Sequence, residues 1–380
     1  MYLDHNATTP VRPEVAAAMQ RVLCDCYGNP SSVHGEGSAA RAQLTRAREE
    51  VASLLGVAPG EVIFTAGATE SNNAVLRCVA DTRGAAPRHL VTSSVEHPSV
   101  EMPLQELERR GWRVTRVPVD AEGGLEAEAV AAAVDADTAL VSILWANNET
   151  GVVQPIQAIA EAVRARGVPL HVDATQAVGK IPVDLRAVAA DYLSLSAHKF
   201  GGAKGAGCLV VRGSAPFEPL LCGGGQERGR RGGTENLPGI VGLGVACALS
   251  QAELPERAAR YALLRDRLWE GILAKIPEVR RNGAAQRSLP NTLNVEFRAA
   301  AGEVLLQALD LDGIAVSSGA ACASGSITPS RVLLAMGRSP DQARASLRFS
   351  VGEGVDESQI DRVLALLPDR VAQARQADGA

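Results

Sequence analysis

Short apolar runs alternate with amphipathic helical patterns between about residues 60 and 211. The helical spacing predicts helices that include Ser71–Cys78, Ser99–Arg109 and Ile156–Arg166. The apolar runs predict seven strands, at Val62–Thr65, His89–Thr92, Arg113–Val117, Ala139–Leu144, Leu170–Val172, Tyr192–Leu195 and Cys208–Val211. Alternation of this kind favours an α/β fold, in which helices cover both faces of a mostly parallel sheet.

The pattern changes after about residue 255. A long helical pattern from Glu256 to Lys275 is followed by shorter segments and by a closing helix near Glu357–Arg375. Ahead of the sheet, apolar residues from Ala40 to Leu55 recur at helical spacing. We therefore expect a large domain over residues 11–255 and a smaller α/β domain over residues 256–380, with residues 1–10 packed on the smaller one.

Composition narrows the class of protein. A chain of 380 residues with 46% hydrophobic content can fill two cores, and with only 3% aromatics these must consist of Ala, Val and Leu. A net charge of −5 offers no basic surface for stable nucleic-acid binding. The beginning of the chain has no signal-like run, and the near-apolar run Gly239–Leu249 is too short to span a bilayer. Seven cysteines without such a signal argue against a disulfide framework, so we expect a cytoplasmic protein without a membrane partner.

Lysine is rare here, and one copy occupies a position that suits aldehyde chemistry. Only four of the 38 basic residues are lysines, and Lys199 closes the run Ser196-Ala197-His198-Lys199 after a predicted strand. Arginine cannot replace lysine in a Schiff base, because the guanidinium does not deprotonate near neutral pH. Taken alone, Lys199 also fits an ordinary solvated loop lysine.

Asp173 lies 26 residues before Lys199, at the end of the preceding apolar stretch. A lysine that binds an aldehyde as an imine, and a carboxylate that keeps a pyridine nitrogen protonated, are the two groups that pyridoxal phosphate requires. A helix N-cap is the alternative role for this aspartate.

Three further segments follow predicted strands. Gly67-Ala68-Thr69-Glu70 opens a helix whose free amides suit a phosphate, although simple capping also explains Thr69. His97 could stack on a flat cofactor or carry protons, or could be a hydrogen-bonded loop histidine. The amides of Asn147-Asn148 suit polar recognition, or a turn.

Two residues in the C-terminal part carry reactive or charged groups. Cys322 lies among small residues from Ser317 to Ser326, which give it little core to pack into and favour an exposed, reactive thiol. Arg348 is flanked by apolar residues on a predicted strand, so we expect a carboxylate partner, either structural or from a substrate. The close pair Cys24 and Cys26 is not interpreted as a metal site, and no metal is expected.

Taken together, these motifs resemble those of the cysteine desulfurases of the NifS/IscS group, which are pyridoxal-phosphate enzymes of the class V aminotransferase family. The resemblance extends nearly from end to end and includes Tyr2–Pro10, Gly28–His34, Gly67–Asn72, Asn147–Glu149, His171–Gln176, Ser196–Lys199, Arg231–Thr234 and the segment around Cys322. It implies an aspartate aminotransferase-like fold, a pyridoxal 5′-phosphate cofactor and a homodimer.

The resemblance also implies roles for individual residues. Lys199 would hold the cofactor as an imine, Asp173 would bind its pyridine nitrogen, and His97 would stack on the ring. Gln176 would lie beside the ring hydroxyl. The phosphate would be bound by Ala68, Thr69, Ser196 and His198, with Thr234 contributed by a second subunit. The carboxylate of the substrate, L-cysteine, would be bound by Asn148 and Arg348.

The mechanism implied by this resemblance uses Lys199 as the base at the substrate Cα, Cys322 as the thiolate that attacks the substrate sulfur, and His97 as proton carrier. Alanine would leave, and the persulfide on Cys322 would pass to an acceptor protein such as an iron–sulfur scaffold. A selenocysteine lyase, or another class V enzyme, is the alternative function. An adaptor without catalytic activity is disfavoured, because Lys199, Asp173 and Cys322 are all present.

Overall fold

The computed structural model describes residues 1–82, 88–213, 215–318 and 328–378. The helices in these ranges are α1 (Pro13–Asp25), α2 (Gly35–Leu55), α3 (Ala68–Thr82), α4 (Pro98–Arg109), α5 (Ala127–Ala132), α6 (Ile156–Arg164), α7 (Leu237–Lys275), α8 (Gly302–Leu311), α9 (Arg331–Ala335), α10 (Pro340–Arg344) and α11 (Glu357–Asp378). The strands are β1 (Val62–Thr65), β2 (His89–Ser93), β3 (Arg113–Val117), β4 (Thr138–Leu144), β5 (Leu170–Asp173), β6 (Tyr192–Ser196), β7 (Gly207–Val211), β8 (Val279–Asn282), β9 (Thr292–Phe297) and β10 (Ser346–Ser350).

The first seven strands form one sheet in the order β1-β7-β6-β5-β4-β2-β3. Strands β3, β2, β4, β5 and β6 run parallel, whereas β7 runs antiparallel to both β6 and β1. The α/β fold with a mostly parallel sheet is therefore confirmed, and the predicted strand limits differ from the observed ones by at most one residue at either end. Because the parallel strands share a direction, their carboxyl ends meet at one edge of the sheet.

Successive residues of a strand point to opposite faces of this sheet, and both faces are apolar. In β1, Val62 and Phe64 belong to a hydrophobic cluster formed with α1, α2, α6 and the first half of α7. Ile63, between them, belongs to the cluster on the other face, with residues of α3 and α4. Burial on both faces explains why the strands appear in the sequence as continuous apolar runs rather than as alternating patterns.

A second, antiparallel sheet has the order β10-β9-β8. Its apolar side chains pack with α8, α11 and the second half of α7 in a separate cluster, in which the rings of Phe297 and Phe349 meet edge to face. Leu3 is buried in this cluster, and Asp4 forms an isolated parallel bridge to Ser350. The first residues of the chain therefore lie against this second sheet.

Helix α7 begins earlier than the helical pattern from Glu256 predicted. The apolar run Gly239–Leu249 and the helical pattern from Glu256 are parts of a single 39-residue helix, which continues past Pro255. By length and composition this helix could cross a membrane, but 56% of its most apolar window is buried within the protein. Its first half contributes Leu243 to one cluster and its second half Leu268 to the other. The predicted domain boundary falls inside this helix, and the division into two domains stays a prediction.

Candidate active site

A cavity of about 490 Å³ lies at the carboxyl edge of the large sheet. Segments that follow β1, β2, β4, β5 and β6 each contribute to its wall. Nine of the residues singled out in the sequence line it, namely Ala68, Thr69, His97, Asn148, Asp173, Gln176, Ser196, His198 and Lys199. Residues far apart in sequence therefore converge because each follows the end of a neighbouring strand.

Lys199 ends a single turn of 3₁₀ helix directly after β6. Its Nζ donates to the backbone oxygens of Asn6, at 2.7 Å, and Ala7, at 2.8 Å. Burial, together with the positive charge of Arg348, lowers the pKa of Lys199 to about 8. An amine with that pKa is about one-tenth unprotonated at pH 7, compared with less than about one-thousandth for an ordinary lysine.

Asp173 is the last residue of β5, and its carboxylate is held at both oxygens. Oδ2 accepts a hydrogen bond from Asn72 Nδ2 at 2.8 Å, and Oδ1 accepts one from the backbone N–H of Thr175 at 3.0 Å. Asn72 Nδ2 also donates to Ser99 Oγ at 2.9 Å. These contacts fix the carboxylate at the pocket wall, where Asp173 faces the same space as Lys199.

His97 is the N-cap of α4, and its ring orientation is fixed by the next turn. Nδ1 accepts the backbone N–H of Ser99 at 3.1 Å and lies 2.8 Å from Ser99 Oγ. Because Nδ1 is an acceptor, the proton of the neutral ring resides on Nε2. Burial lowers the pKa of His97, so the neutral form predominates near pH 7.

The end of the pocket nearest α3 is suited to an anion. Helix α3 begins at Ala68, so the amides of its first turn have no partner within the helix. Gly67 precedes them with φ of +152°, and a Cβ there would lie 3.3 Å from Ser196 Oγ. Lys204 lines the same pocket, although the sequence reasoning had not assigned it a role.

Other predicted residues lie away from this cavity. Arg348 is buried on β10, where it pairs with Asp4 Oδ1 at 2.5 Å and donates to Asn148 O at 2.9 Å. Thr234 lines a separate cavity together with Glu227, and its predicted role in the phosphate site of a second subunit stays a prediction. Cys322 lies outside the described residues, and its predicted role stays a prediction.

The described residues on either side of Cys322 in sequence are hydrogen-bonded, directly or through Arg348, to the turn after β4, which contributes Asn148 to the pocket. Ser317 exchanges backbone hydrogen bonds with Arg348, which donates to Asn148 O. Beyond the undescribed stretch, the hydroxyl of Ser330 donates to the carboxylate of Glu149. Residue 318 directly follows Ser317, and residue 328 lies two positions before Ser330. Both borders of the undescribed stretch are therefore close in sequence to a residue that contacts this turn, directly or through Arg348.

Four polar residues at the site were not recognised from the sequence as functional. Asn6 and Lys180 are buried beside Lys199, and we call these two residues the floor of the site. Asn72 connects Asp173 to Ser99. Glu96 is fully enclosed beside His97, and burial raises its pKa to about 8. The available signals were weak, since Asn6 and Asn72 occur only as members of longer motifs and Lys180 only as one of four lysines.

The chain is similar along its whole length to proteins of one family. The family model described as aminotransferase class-V matches residues 1–363. A cysteine desulfurase from Trichormus azollae is 46% identical over 375 residues, which cover 99% of this chain and 94% of that protein. A NifS-like protein of known structure superimposes with a TM-score of 0.93 at 39% identity, covering 98% of this chain and 99% of the other. A structure of SspA in complex with cysteine gives a TM-score of 0.83 at 37% identity, with coverage of 92% and 98%.

The chain therefore belongs to the class V aminotransferase family, and the resemblance inferred from the sequence is confirmed. Members of this family are pyridoxal-phosphate-dependent enzymes. The residues of the pocket fit that cofactor, because helix amides, hydroxyls and Lys204 suit a phosphate while Lys199 and Asp173 supply an amine and a carboxylate. Thr175, which also lines the pocket, has a buried hydroxyl without a hydrogen-bond partner in the described structure, and such an atom is available to a ligand.

Proposed function

We propose that this chain is a cysteine desulfurase, which converts L-cysteine to L-alanine and transfers the sulfur to an acceptor protein. The observation that carries the proposal is one pocket in which the amine of Lys199, the anchored carboxylate of Asp173 and the oriented ring of His97 face the same space. The similarity to cysteine desulfurases over 99% of the chain supports cysteine as the substrate.

Pyridoxal phosphate, when bound, supplies an electron-accepting ring that stabilises the charge left when a proton is removed from the substrate Cα. Lys199 and Asp173 would hold the cofactor through its aldehyde carbon and its pyridine nitrogen, and the amides of Ala68 and Thr69 would bind its phosphate. Lys199 is suited to take the Cα proton, because its lowered pKa leaves part of its amine unprotonated near neutral pH.

His97 can move a proton at Nε2, because Nδ1 is occupied by the Ser99 amide. Its neutral form can accept a proton only if the Nε2 proton is first given up, so the fixed tautomer makes Nε2–H a donor. The thiolate of Cys322 is the proposed acceptor of the substrate sulfur. Ser317 and Ser330, on either side of Cys322 in sequence, are hydrogen-bonded near the turn that bears Asn148, which supports the proposed role of Cys322 at this site.

The remaining proposals concern partners and location. We propose a homodimer, in which Thr234 of each subunit completes the phosphate site of the other, and a cytoplasmic location. An iron–sulfur scaffold is the acceptor that we propose for the persulfide. We also retain the division into a large domain, residues 11–255, and a small domain, residues 256–380, on which residues 1–10 pack.

The function is tested with purified protein and L-cysteine. Alanine should form, and brief exposure followed by alkylation and digestion should add one sulfur to the peptide that contains Cys322. Parallel assays with L-selenocysteine separate the alternative. Turnover of selenocysteine alone, or turnover that survives Cys322→Ser, would instead indicate a lyase that needs no protein thiol.

A further inference from the structure

Lys180 is a buried lysine without a role in the proposed reaction. Only 3% of its surface is exposed, and its Nζ donates to Asn6 Oδ1 at 3.0 Å and to Gln176 Oε1. Within the described ranges these are its only hydrogen bonds, and no carboxylate there forms an ion pair with it. An ammonium group has three N–H bonds to satisfy and an uncharged amine has two. The two acceptors therefore match the uncharged amine, because a third buried N–H would have no partner.

The surroundings of Lys180 also favour the uncharged amine. Burial lowers the pKa of Lys180 well below its ordinary value, and the positive charges of Lys199 and Arg348 lower it further. Two histidines lie near Lys180, His5 and His198, and burial lowers the pKa of each to about 4, so both are neutral near pH 7. Lys180 and Lys199 line one small cavity of about 30 Å³ together with His5, so the two amines are neighbours.

The two acceptors of Lys180 are parts of the active-site floor. Asn6 Oδ1 also accepts from Asn291 Nδ2, while Asn6 Nδ2 donates to Thr292 Oγ1 at 2.8 Å, so the orientation of this amide is fixed. The backbone oxygen of Asn6 accepts Lys199 Nζ at 2.7 Å and Gln176 Nε2 at 3.0 Å. Asn6 thus connects Lys180 to the catalytic lysine.

For Gln176, the contacts with Lys180 and with Asn6 together fix the positions of the amide oxygen and nitrogen. Oε1 accepts from Lys180, so the NH₂ group must be at the other end, where one N–H is bound by Asn6 O. The second N–H remains available on a side chain that lines the main pocket. Without the donor on Lys180, Gln176 Oε1 would lose its buried hydrogen-bond donor, which leaves the contact with Asn6 O to hold this amide in place.

We propose that Lys180 is a positioning residue of the active site. As an uncharged amine it orients the Gln176 amide with an N–H toward the pocket and supports the Asn6 carbonyl that binds Lys199. This inference rests on the proposed function for its setting, and concerns how the chain prepares its floor for the cofactor.

The charge state can be measured in the unmodified protein, because the chain has only four lysines. Protein labelled with ¹³C and ¹⁵N in lysine should give four side-chain signals, which are assigned with the single variants Lys180→Met, Lys204→Arg and Lys275→Arg, the fourth signal then being that of Lys199. The signal of Lys180 should have the shifts of a neutral amine at neutral pH. The shifts of an ammonium at that pH would overturn the proposal.

The positioning role is tested with Lys180→Met, which keeps the length of the side chain and removes both donors. Lys275→Met is the matched control, because the one hydrogen bond of Lys275 within the described residues goes to Leu364 O, outside the site. Affinity of the apo-protein for pyridoxal phosphate should fall by about tenfold or more in Lys180→Met and stay unchanged in the control. A loss of melting temperature with unchanged cofactor affinity would show a merely structural lysine and overturn the proposal.

A double variant provides an independent check. If Lys180 acts through Gln176, then Lys180→Met should weaken cofactor affinity less in a Gln176→Ala background than in the wild-type background. Strict additivity of the two losses would contradict the proposal. None of these measurements consumes cysteine, so they keep their meaning if no alanine is formed, and absence of alanine formation alone would refute only the proposed desulfurase activity.

Discussion

The ion pair between Arg348 and Asp4 allows a sharp test of how the substrate carboxylate is bound. The guanidinium already has a carboxylate partner at 2.5 Å, and the two side chains are only 5% and 20% exposed. A substrate carboxylate that uses Arg348 must therefore share this cation with Asp4 or displace it. The informative changes are Arg348→Lys, which removes the planar fork, and Asp4→Asn, which removes the competitor.

The magnitudes follow from the geometry. Unit charges about 4 Å apart attract by about 4 kcal/mol at an effective dielectric of about 20, and desolvation offsets part of this. Arg348→Lys cannot reproduce two directed contacts, and should cost about 2 to 4 kcal/mol in kcat/KM. Asp4→Asn leaves the guanidinium to the substrate, and should lower KM for cysteine by about tenfold, which corresponds to about 1.4 kcal/mol.

The assay is alanine formation over a range of cysteine concentrations, with the visible absorbance of the bound cofactor and the melting temperature recorded for each variant. Arg370→Lys is the matched control, because Arg370 also makes two directed hydrogen bonds and an ion pair, here both to Asp312, but on α11. If Asp4→Asn and Arg348→Lys lowered kcat/KM by the same factor with equal losses of melting temperature, the pair would be structural and the carboxylate-binding role of Arg348 would be wrong.

Three further predictions concern single residues. Lys199→Ala should abolish alanine formation in a folded protein, because it removes both the cofactor anchor and the proposed base. Borohydride reduction of the wild type should attach the pyridoxyl group to Lys199. A pyridoxyl group on another lysine would contradict the assignment. Cys322→Ser should bind cofactor normally while alanine formation falls to background, because a serine hydroxyl cannot take up the sulfur; wild-type turnover would argue against the mechanism. Glu96→Gln should change the pH dependence of stability: burial raises the folded-state pKa to about 8, above an unfolded value of about 4.3, so the folded wild type binds more protons in that window and loses stability as the pH rises through it. Urea denaturation of apo-protein should show the variant more stable by roughly 3 to 4 kcal/mol at neutral pH and equal to wild type near pH 4, and parallel curves would show that Glu96 is ionised in the folded state.

Much of the pocket could be predicted from the sequence because its residues follow strand ends. Asp173 is the last residue of β5, and Lys199 ends the short turn that follows β6. The carboxyl ends of parallel strands lie together whatever the sheet order. The sequence indicated that these residues meet, but the sheet order, in which β7 lies between β1 and β6, depends on long-range packing that local patterns do not encode.

The floor of the site could not be predicted for the same physical reason. Lys180 and Asn6 are separated by 174 residues, and Arg348 and Asp4 by 344. For neither pair does a periodic pattern or a spacing in the sequence predict the contact. Only the second half of helix α7 was predicted as a helix, and the two halves are buried in different clusters, so one continuous pattern does not run along the whole helix.

The N-terminal segment of residues 2–9 has no helix or extended strand, yet it contacts several residues of the pocket, among them Lys199, His198 and Gln176. Its backbone binds Lys199 through the oxygens of Asn6 and Ala7, and Thr9 both donates to His198 O and accepts from the Gly201 amide. The same segment is held at its other end by the second sheet, where the amide of Ser350 donates to Leu3 O at 2.7 Å. Lys199 is therefore bound by an N-terminal segment whose position depends on the hydrophobic cluster around the second sheet. Loss of packing in that cluster should for this reason disturb Lys199 before it disturbs the large sheet.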